Sequence, residues 1–141
     1  MIKNGNVVGN HTVNHKCIAK ISDEEIKEEI MKLHNAVYEK TGYEMKFFRP
    51  PKGEFSEKSL SIVKDLGYTT VMWSSAYDDW DNNRQPDKEK AISKILSNTH
   101  NGEIMLLHPT SATNANIIKD VIQKLKSEGY NFGTLDELTS N

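Results

Sequence analysis

The positions of apolar residues along the chain predict four helices. The clearest follows Ser22-Asp23-Glu24-Glu25, which has the pattern of a capping box, and Gly42 ends it. Its apolar residues recur at helical spacing and are Ile26, Ile30, Leu33 and Val37. Similar start and stop signals predict three further helices over residues 56–66, 87–98 and 116–128.

Short apolar or β-branched runs lie between these helices and predict about five strands. The runs are residues 7–8, 46–48, 69–73, 104–107 and 130–132. Regular alternation of strand and helix is typical of an α/β fold with a parallel sheet, either open and doubly wound or closed into a barrel. A length of 141 residues is that of one domain, so residues 1–141 are predicted to form a single domain.

Composition excludes several classes of protein. Eighteen basic and twenty acidic residues give a formal net charge of -2, without the basic stripe that nucleic-acid binding requires, so no nucleic-acid partner is expected. No run approaches the ~18 to 20 apolar residues of a membrane span, and the first residues have no signal-peptide pattern. The single Cys17 cannot form an internal disulfide.

Chemically reactive side chains follow four of the predicted strands. They are the histidine pair in Gly9-Asn10-His11-Thr12-Val13-Asn14-His15-Lys16, the segment Arg49-Pro50-Pro51-Lys52-Gly53, the dipeptide Asp79-Trp80, and His108. In parallel α/β folds functional groups collect after the carboxyl ends of strands, so these side chains are expected to converge. Histidines four residues apart can share one face of a helical turn and bind one metal ion.

Each of these features also has an ordinary structural interpretation. A spaced histidine pair is often a surface or core feature, and two prolines followed by Gly53 often form only a rigid turn. Asp79-Trp80 can be a loop acid beside a packing aromatic, and His108 can be a packing residue at a strand end. Their shared position after successive strands is what favours a functional site.

In this order, the four segments resemble the motifs of the polysaccharide deacetylase family, also called the NodB homology family. The His-Ser/Thr-x-x-His motif is similar to residues 11–15, Arg-x-Pro-x-Gly to 49–53, Asp-Trp to 79–80, and Leu-x-His to 106–108. The resemblance covers about residues 5–138. The intervening sequence is most similar to the delta-lactam-biosynthetic subgroup, which removes acetyl groups from N-acetylmuramic acid in spore-cortex peptidoglycan.

The resemblance implies a divalent metal held by His11 and His15, with zinc as the first candidate and cobalt or another divalent ion as alternatives. It also implies that His108 is the general acid, that Asp79 stabilises its charged form, and that Arg49 anchors the catalytic aspartate.

The resemblance assigns the substrate pocket as well. Leu106 would line the slot for the acetyl methyl group and Trp80 would form a wall. In the Pro51-Lys52 turn, the backbone N–H of Lys52 would join the oxyanion hole.

One motif of the family is absent from this sequence. The aromatic-Asp-Asp motif supplies the general base and the third metal ligand in the family, whereas Asp78-Asp79 is the only Asp-Asp pair here and Asp79 already matches the fourth motif. We therefore expect a C-terminal portion of the domain, an incomplete distorted (β/α) barrel of the NodB type with about five strands and four to five helices. A homodimer is one way of covering its open edges.

The expected function is metal-dependent de-N-acetylation of a peptidoglycan amino sugar, with weak or no activity for this chain alone. One alternative is a non-catalytic carbohydrate-binding or assembly protein that keeps the cleft. Another is a two-chain enzyme in which a second polypeptide supplies the Asp-Asp strand. Full-length members of the family are exported or associated with the cell wall, and the expected partner is peptidoglycan or another N-acetylated glycan.

Overall fold

A computed structural model describes residues 1–140 of the chain, which divide into two compact units. The first unit comprises Met1–Met72 and the residues from Thr139 onward, and the second comprises Trp73–Leu138. Each unit has its own apolar core, as set out below. None of the helices in the described part of the chain has the length and apolar character needed to cross a membrane.

The first unit pairs two helices with a small parallel sheet. Helix α1 spans Asp23–Thr41 and α2 spans Glu57–Asp65, while strands β1 (Phe47–Phe48) and β2 (Thr69–Thr70) pair in parallel. Short 3-10 helices occupy Ile2–Asn4 and Pro51–Gly53. The buried core consists of Ile18, Ile26, Ile30, Met45, Phe48, Ile62, Val63 and Tyr68.

The second unit is built mainly on two helices. Helix α3 spans Lys88–Asn98 and α4 spans Ala112–Ser127; α5, at Leu135–Thr139, follows near the end of the chain. Ser75 and Met105 form an isolated parallel bridge. The buried core consists of Ala91, Ile92, Ile95, Ile117, Val121 and Leu125.

The capping residues determine where α1 and α4 begin or end. Ser22 and Glu25 form the predicted capping box of α1, and Gly42 ends that helix in the left-handed conformation with φ of 67°. Helix α4 begins at Ala112 rather than at residue 116, because the Ser111 side chain accepts from Asn114 N.

The strands are fewer and shorter than the sequence predicted. The α/β class and the parallel pairing are confirmed, but only two two-residue strands form among residues 1–140, where five were predicted. Residues 7–8 are not a strand; the bridge to Phe48 is made by Asn10. Pro50 and Pro51, which lack an N–H, end the ladder just after β1. The run 104–107 contributes only the bridge at Met105.

The predicted last strand, residues 130–132, is also absent. Tyr130 N donates to Leu125 O, so this segment begins by closing the end of α4.

Adjacent isoleucines on α4 provide a test of this packing. Ile117 is 2% exposed, and Ile118 is 39% exposed. Ile117→Ala should lower the free energy of unfolding by about 2–5 kcal/mol, because it leaves a cavity in the core. Ile118→Ala, the matched control, should lower it by less than about 1 kcal/mol. Urea denaturation followed by circular dichroism measures both, and equal losses would contradict this assignment of the buried face.

Candidate functional site

The predicted site residues are divided between the two units. His11, His15 and Arg49 belong to the first unit, whereas Asp79 and His108 belong to the second. The structure brings residues together within each group, as described below. The predicted convergence of all four motifs stays a prediction.

The segment of residues 10–16, called here the histidine loop, is anchored by the buried Asn10. Its backbone N–H donates to Phe47 O at 2.7 Å, and its carbonyl accepts from Arg49 N at 3.0 Å. Its side-chain amide donates to Ile30 O at 2.9 Å and to Tyr68 Oη at 3.1 Å. The same side chain accepts from a backbone N–H two residues on. Asn10 therefore fixes the start of the loop to the sheet and to the core.

The two histidines lie in irregular backbone, not on the helical turn that their spacing allowed. Thr12 and His15 have φ of 63° and 57°, and the Asn10 side chain accepts from Thr12 N at 3.0 Å, which replaces a helical hydrogen bond. The rings of His11 and His15 nevertheless meet edge to face with centroids 4.9 Å apart. Tertiary structure thus brings the pair together without a helix.

The backbone of the Arg49 segment orients the His11 ring. His11 Nδ1 lies 2.5 Å from Arg49 O. A carbonyl oxygen can only accept, so Nδ1 carries the hydrogen and, in the neutral ring, Nε2 carries the lone pair. A hydrogen bond of this kind sets the tautomer of metal-binding histidines.

A buried acid on α1 holds the middle of the histidine loop. Glu29 is 4% exposed and accepts from Asn14 N at 2.9 Å and from Asn14 Nδ2 at 2.7 Å. Its backbone carbonyl accepts from Val13 N at 3.1 Å. Lys16 Nζ lies 3.9 Å from Glu29 Oε1. Glu29 was not predicted, although an acid three residues after Ile26 on the apolar face of α1 was a usable signal.

The Arg49 to Gly53 segment forms a tight turn after β1. Pro51 is buried, and Lys52 takes a left-handed conformation with φ of 61°. Gly53 N donates to Pro50 O at 3.1 Å, which closes the turn. Burial lowers the pKa of the Arg49 guanidinium. The rigid turn expected from the two prolines is present.

The histidine pair offers two imidazoles, which is fewer protein ligands than a zinc-type site uses. Zinc centres of the catalytic kind use three protein ligands, commonly imidazoles and a carboxylate, and leave one position open. Across residues 1–140, no group of three or more His, Cys, Asp or Glu side chains is placed to hold a metal ion. Beside the pair, the buried Thr12 Oγ1 has no hydrogen-bond partner within the same residues.

Asp79 and His108 form a close pair in the second unit. Asp79 is fully buried, and its Oδ1 lies 2.7 Å from His108 Nδ1. Its Oδ2 accepts from the backbone N of His108, also at 2.7 Å. One carboxylate therefore holds both the ring and the backbone of the histidine, and fixes the Nδ1–H tautomer. The His108 side chain is 33% exposed, so the ring remains accessible.

The carboxylate of Asp79 is kept ionised by its hydrogen bonds. Burial alone would raise its pKa, but the hydrogen bonds from His108 N, from the His108 ring and from Asn114 Nδ2 together lower the pKa of Asp79 below its ordinary value of 3.8. An ionised Asp79 can only accept hydrogen bonds, so the His108 ring must donate to it.

Two supporting residues of this pair were not predicted from the sequence. Asn114 Nδ2 donates to Asp79 Oδ2 at 2.5 Å and to His108 O at 3.1 Å. Tyr77 donates its hydroxyl hydrogen to Asn114 Oδ1. Tyr77 precedes Asp79 by two residues, but Asn114 had no local signal because its role depends on tertiary contacts.

The remaining predicted residues flank the pair in sequence. Trp80 is 60% exposed, and Leu106 is partly buried, with its backbone N donating to Ser75 O at 2.9 Å. These observations do not define a substrate pocket. The assignment of Trp80 and Leu106 to substrate binding therefore stays a prediction.

Comparison with known proteins decides the family. A sequence model of the polysaccharide deacetylase family matches residues 1–71. The chain belongs to the polysaccharide deacetylase family. This confirms the family that the four motifs predicted.

Two curated relatives from this family show how far the similarity extends. The chain is 38% identical over 139 residues to peptidoglycan-N-acetylmuramic acid deacetylase PdaA of Bacillus subtilis, covering 98% of this chain and 53% of the relative. It is 35% identical over 144 residues to a peptidoglycan-N-acetylglucosamine deacetylase of Bacillus cereus, covering 98% and 65%. The chain spans about half the length of the curated relatives it matches.

Solved structures of family 4 carbohydrate esterases have the same fold over nearly all of this chain. The Bacillus subtilis PdaA structure superposes with a TM-score of 0.93 at 38% identity, covering 98% of this chain and 59% of that one. A pseudoenzyme of the same family from Bacillus anthracis superposes with a TM-score of 0.90 at 27% identity, covering 99% and 48%. Polysaccharide deacetylase relatives thus include both enzymes and a protein described as a pseudoenzyme.

The low pKa of Asp79 predicts how stability depends on pH. A carboxyl group whose pKa is lowered by folding stabilises the protein above its ordinary pKa of 3.8, and this contribution is lost as the pH falls through the lower folded value. Asp79→Asn should therefore reduce the free energy of unfolding at pH 7 by roughly 1.5–3 kcal/mol, the range for hydrogen bonds to a charged group. The difference should shrink below about pH 4.

Denaturant titrations between pH 7 and pH 3 measure this difference. Asp78→Asn is the matched control, because Asp78 is the exposed neighbour and its substitution should change stability by no more than about 0.5 kcal/mol. A loss for Asp79→Asn that stays constant across the pH range would contradict an ionised carboxylate in the folded protein.

Proposed function

We propose that this polysaccharide deacetylase removes acetyl groups from an amino sugar of peptidoglycan by metal-assisted hydrolysis. N-acetylmuramic acid is the proposed sugar and the spore cortex the proposed context, which implies export to the cell wall. The observation that carries the proposal is the buried Asp79 carboxylate bonded to a partly exposed His108. The names of the relatives, both peptidoglycan deacetylases, support the substrate class.

The pair has the chemistry needed to protonate a leaving amine. Cleavage of an acetamide requires a proton donor at the departing nitrogen. His108 Nδ1–H is held by Asp79, which leaves Nε2 as the nitrogen that delivers a proton to the amine. The bond to Asp79 holds the ring in one orientation for the transfer.

The histidine loop would hold the metal. When bound, a divalent ion, with zinc as the first candidate and cobalt as an alternative, would supply water activation and polarisation of the acetyl carbonyl. His11 and His15 would be two of its ligands, and the Arg49 carbonyl would keep the His11 ring in the required tautomer. We propose that the third ligand is a carboxylate from outside these 141 residues, either in the same protein or in a second polypeptide.

The other predicted residues complete this proposal. Arg49 would anchor a catalytic aspartate, and Pro51 and Lys52 would form the turn that offers a backbone N–H to the oxyanion. Trp80 and Leu106 would border the acetyl pocket.

The proposed architecture is a C-terminal portion of one NodB-type barrel domain over residues 1–141. A homodimer that covers unpaired strand edges is part of the same proposal.

A second candidate function is carbohydrate binding or assembly without turnover. It is favoured by the similarity to the Bacillus anthracis pseudoenzyme. A protein of this kind would bind the glycan and release no acetate.

Acetate release distinguishes the two functions. Incubation with muropeptides that contain N-acetylmuramic acid, in the presence of zinc or cobalt, should release acetate slowly, because this chain would supply two of the three proposed metal ligands. His108→Ala should lower the rate by at least about 100-fold, the lower contribution of general acid catalysis. His100→Ala, which changes an exposed histidine of the same unit, should leave the rate unchanged. Glycan binding without acetate release would contradict the proposed function and support the second candidate. Absence of both glycan binding and acetate release would contradict both candidates.

Zinc binding tests the histidine pair without any activity measurement. Isothermal titration calorimetry should show that His11→Ala and His15→Ala each weaken zinc binding by about tenfold or more, since each removes one of two imidazole ligands. His100→Ala again provides the matched control. Unchanged zinc affinity in both loop variants would remove the histidine loop from the proposed metal site.

A further inference from the structure

The contacts of Asn114 account for its whole side-chain amide. The residue is 6% exposed and lies in the first turn of α4, where its backbone N donates to Ser111 Oγ at 3.1 Å. Its amide nitrogen donates one hydrogen to Asp79 and the other to the carbonyl of His108. Its amide oxygen accepts from Tyr77. Three partners therefore engage both donors and the acceptor.

The orientation of this amide follows from the chemistry of its neighbours. The ionised carboxylate of Asp79 and the backbone carbonyl of His108 can only accept, so both must face the nitrogen of Asn114. The amide oxygen must then face Tyr77, whose hydroxyl acts as the donor. Burial, and then the charge of Asp79, raise the pKa of Tyr77, which keeps this hydroxyl protonated. The arrangement has one consistent set of hydrogen positions.

We propose that Asn114, held by Tyr77, is a positioning residue that aligns the Asp79 carboxylate with His108. This inference rests on the proposed function for its effect on turnover. It adds to that function a residue which contacts Asp79 and the His108 backbone and acts on the reaction through them. The helix cap at Ser111 sets the position of Asn114, so the start of α4 determines the geometry of the pair.

The bond to Asp79 Oδ2 is what makes Asn114 more than a packing residue. With Oδ2 occupied by His108 N and Asn114, Oδ1 is directed at His108 Nδ1. Loss of the amide would leave the carboxylate freer to rotate and would weaken its hold on the ring. An acid at position 114 would place a second carboxyl group against Asp79, and two carboxyl groups in contact share a proton.

The first test measures the hydrogen bond itself. A carboxylate-bound imidazole N–H gives a low-field proton resonance that exchanges slowly with water, and His108→Ala assigns it. Asn114→Ala should abolish this resonance or speed its exchange by about tenfold or more. Asn116→Ala changes an exposed asparagine two residues further along α4, whose side chain donates to Ala112 O, and should leave the resonance unchanged. Tyr77→Phe, which removes one hydroxyl group, should have a smaller effect on the resonance. It replaces Asn114→Ala as the test variant if Asn114→Ala does not fold.

The second test measures turnover. Asn114→Ala should lower kcat by about 10- to 100-fold, as expected for a supporting partner, with KM changed by no more than about twofold because Asn114 is buried. Asn114→Asp should move the acidic limb of the kcat profile to higher pH, because the shared proton raises the pKa of the pair. A purely structural role would not shift this limb.

The outcomes separate this inference from the proposed function. A changed resonance in a protein that releases no acetate would support the positioning role of Asn114 and contradict the function. An unchanged resonance in folded Asn114→Ala and Tyr77→Phe, or its absence from the unsubstituted protein, would overturn the inference, whether or not acetate is released.

Discussion

A carboxylate that is removed from water must receive hydrogen bonds at both oxygens, and this constraint governs the second unit. Asp79 is fully buried, and it accepts from the backbone N of His108, from the His108 ring and from the side chain of Asn114. The segment before α3, the residue that follows the 104–107 run and the start of α4 are thereby tied to one group. The same bonds that make the carboxylate tolerable in the interior also give the His108 ring its orientation. The burial of the carboxylate and the orientation of the ring therefore depend on the same three donors.

The first unit follows the same principle with different residues. Asn10 connects the sheet, the carbonyl of Ile30 and the hydroxyl of Tyr68, while Glu29 receives the two N–H groups of Asn14. These buried polar contacts hold the histidine loop in a shape that its sequence does not favour locally. His34 Nδ1 lies 2.6 Å from the same Tyr68 hydroxyl, so the network reaches the surface of α1. Polar groups in the core therefore anchor the loop through hydrogen bonds.

The helices and the residue types of the site were predictable, whereas the strands and supporting residues were not. Helix limits depend on local caps such as Ser22 and Gly42, which are visible in sequence. Strands depend on pairing with distant segments, so residues 7–8 and 130–132 had the right composition without a ladder. His11 and Asp79 stand out through motif chemistry. Asn10 and Asn114 act through tertiary hydrogen bonds, and an isolated asparagine in a sequence gives no such signal.

The contact between His11 and Arg49 has a consequence for interpreting variants. It uses the backbone carbonyl of Arg49, which every amino acid possesses, and does not involve the guanidinium. Position 49 therefore contributes two chemical groups that substitution cannot remove together. A side-chain replacement at position 49 tests only the guanidinium charge. A change in the backbone path through Pro50 and Pro51 would instead test the hydrogen bond to the His11 ring. Tolerance of substitution at position 49 would thus say nothing about whether the histidine loop needs that segment.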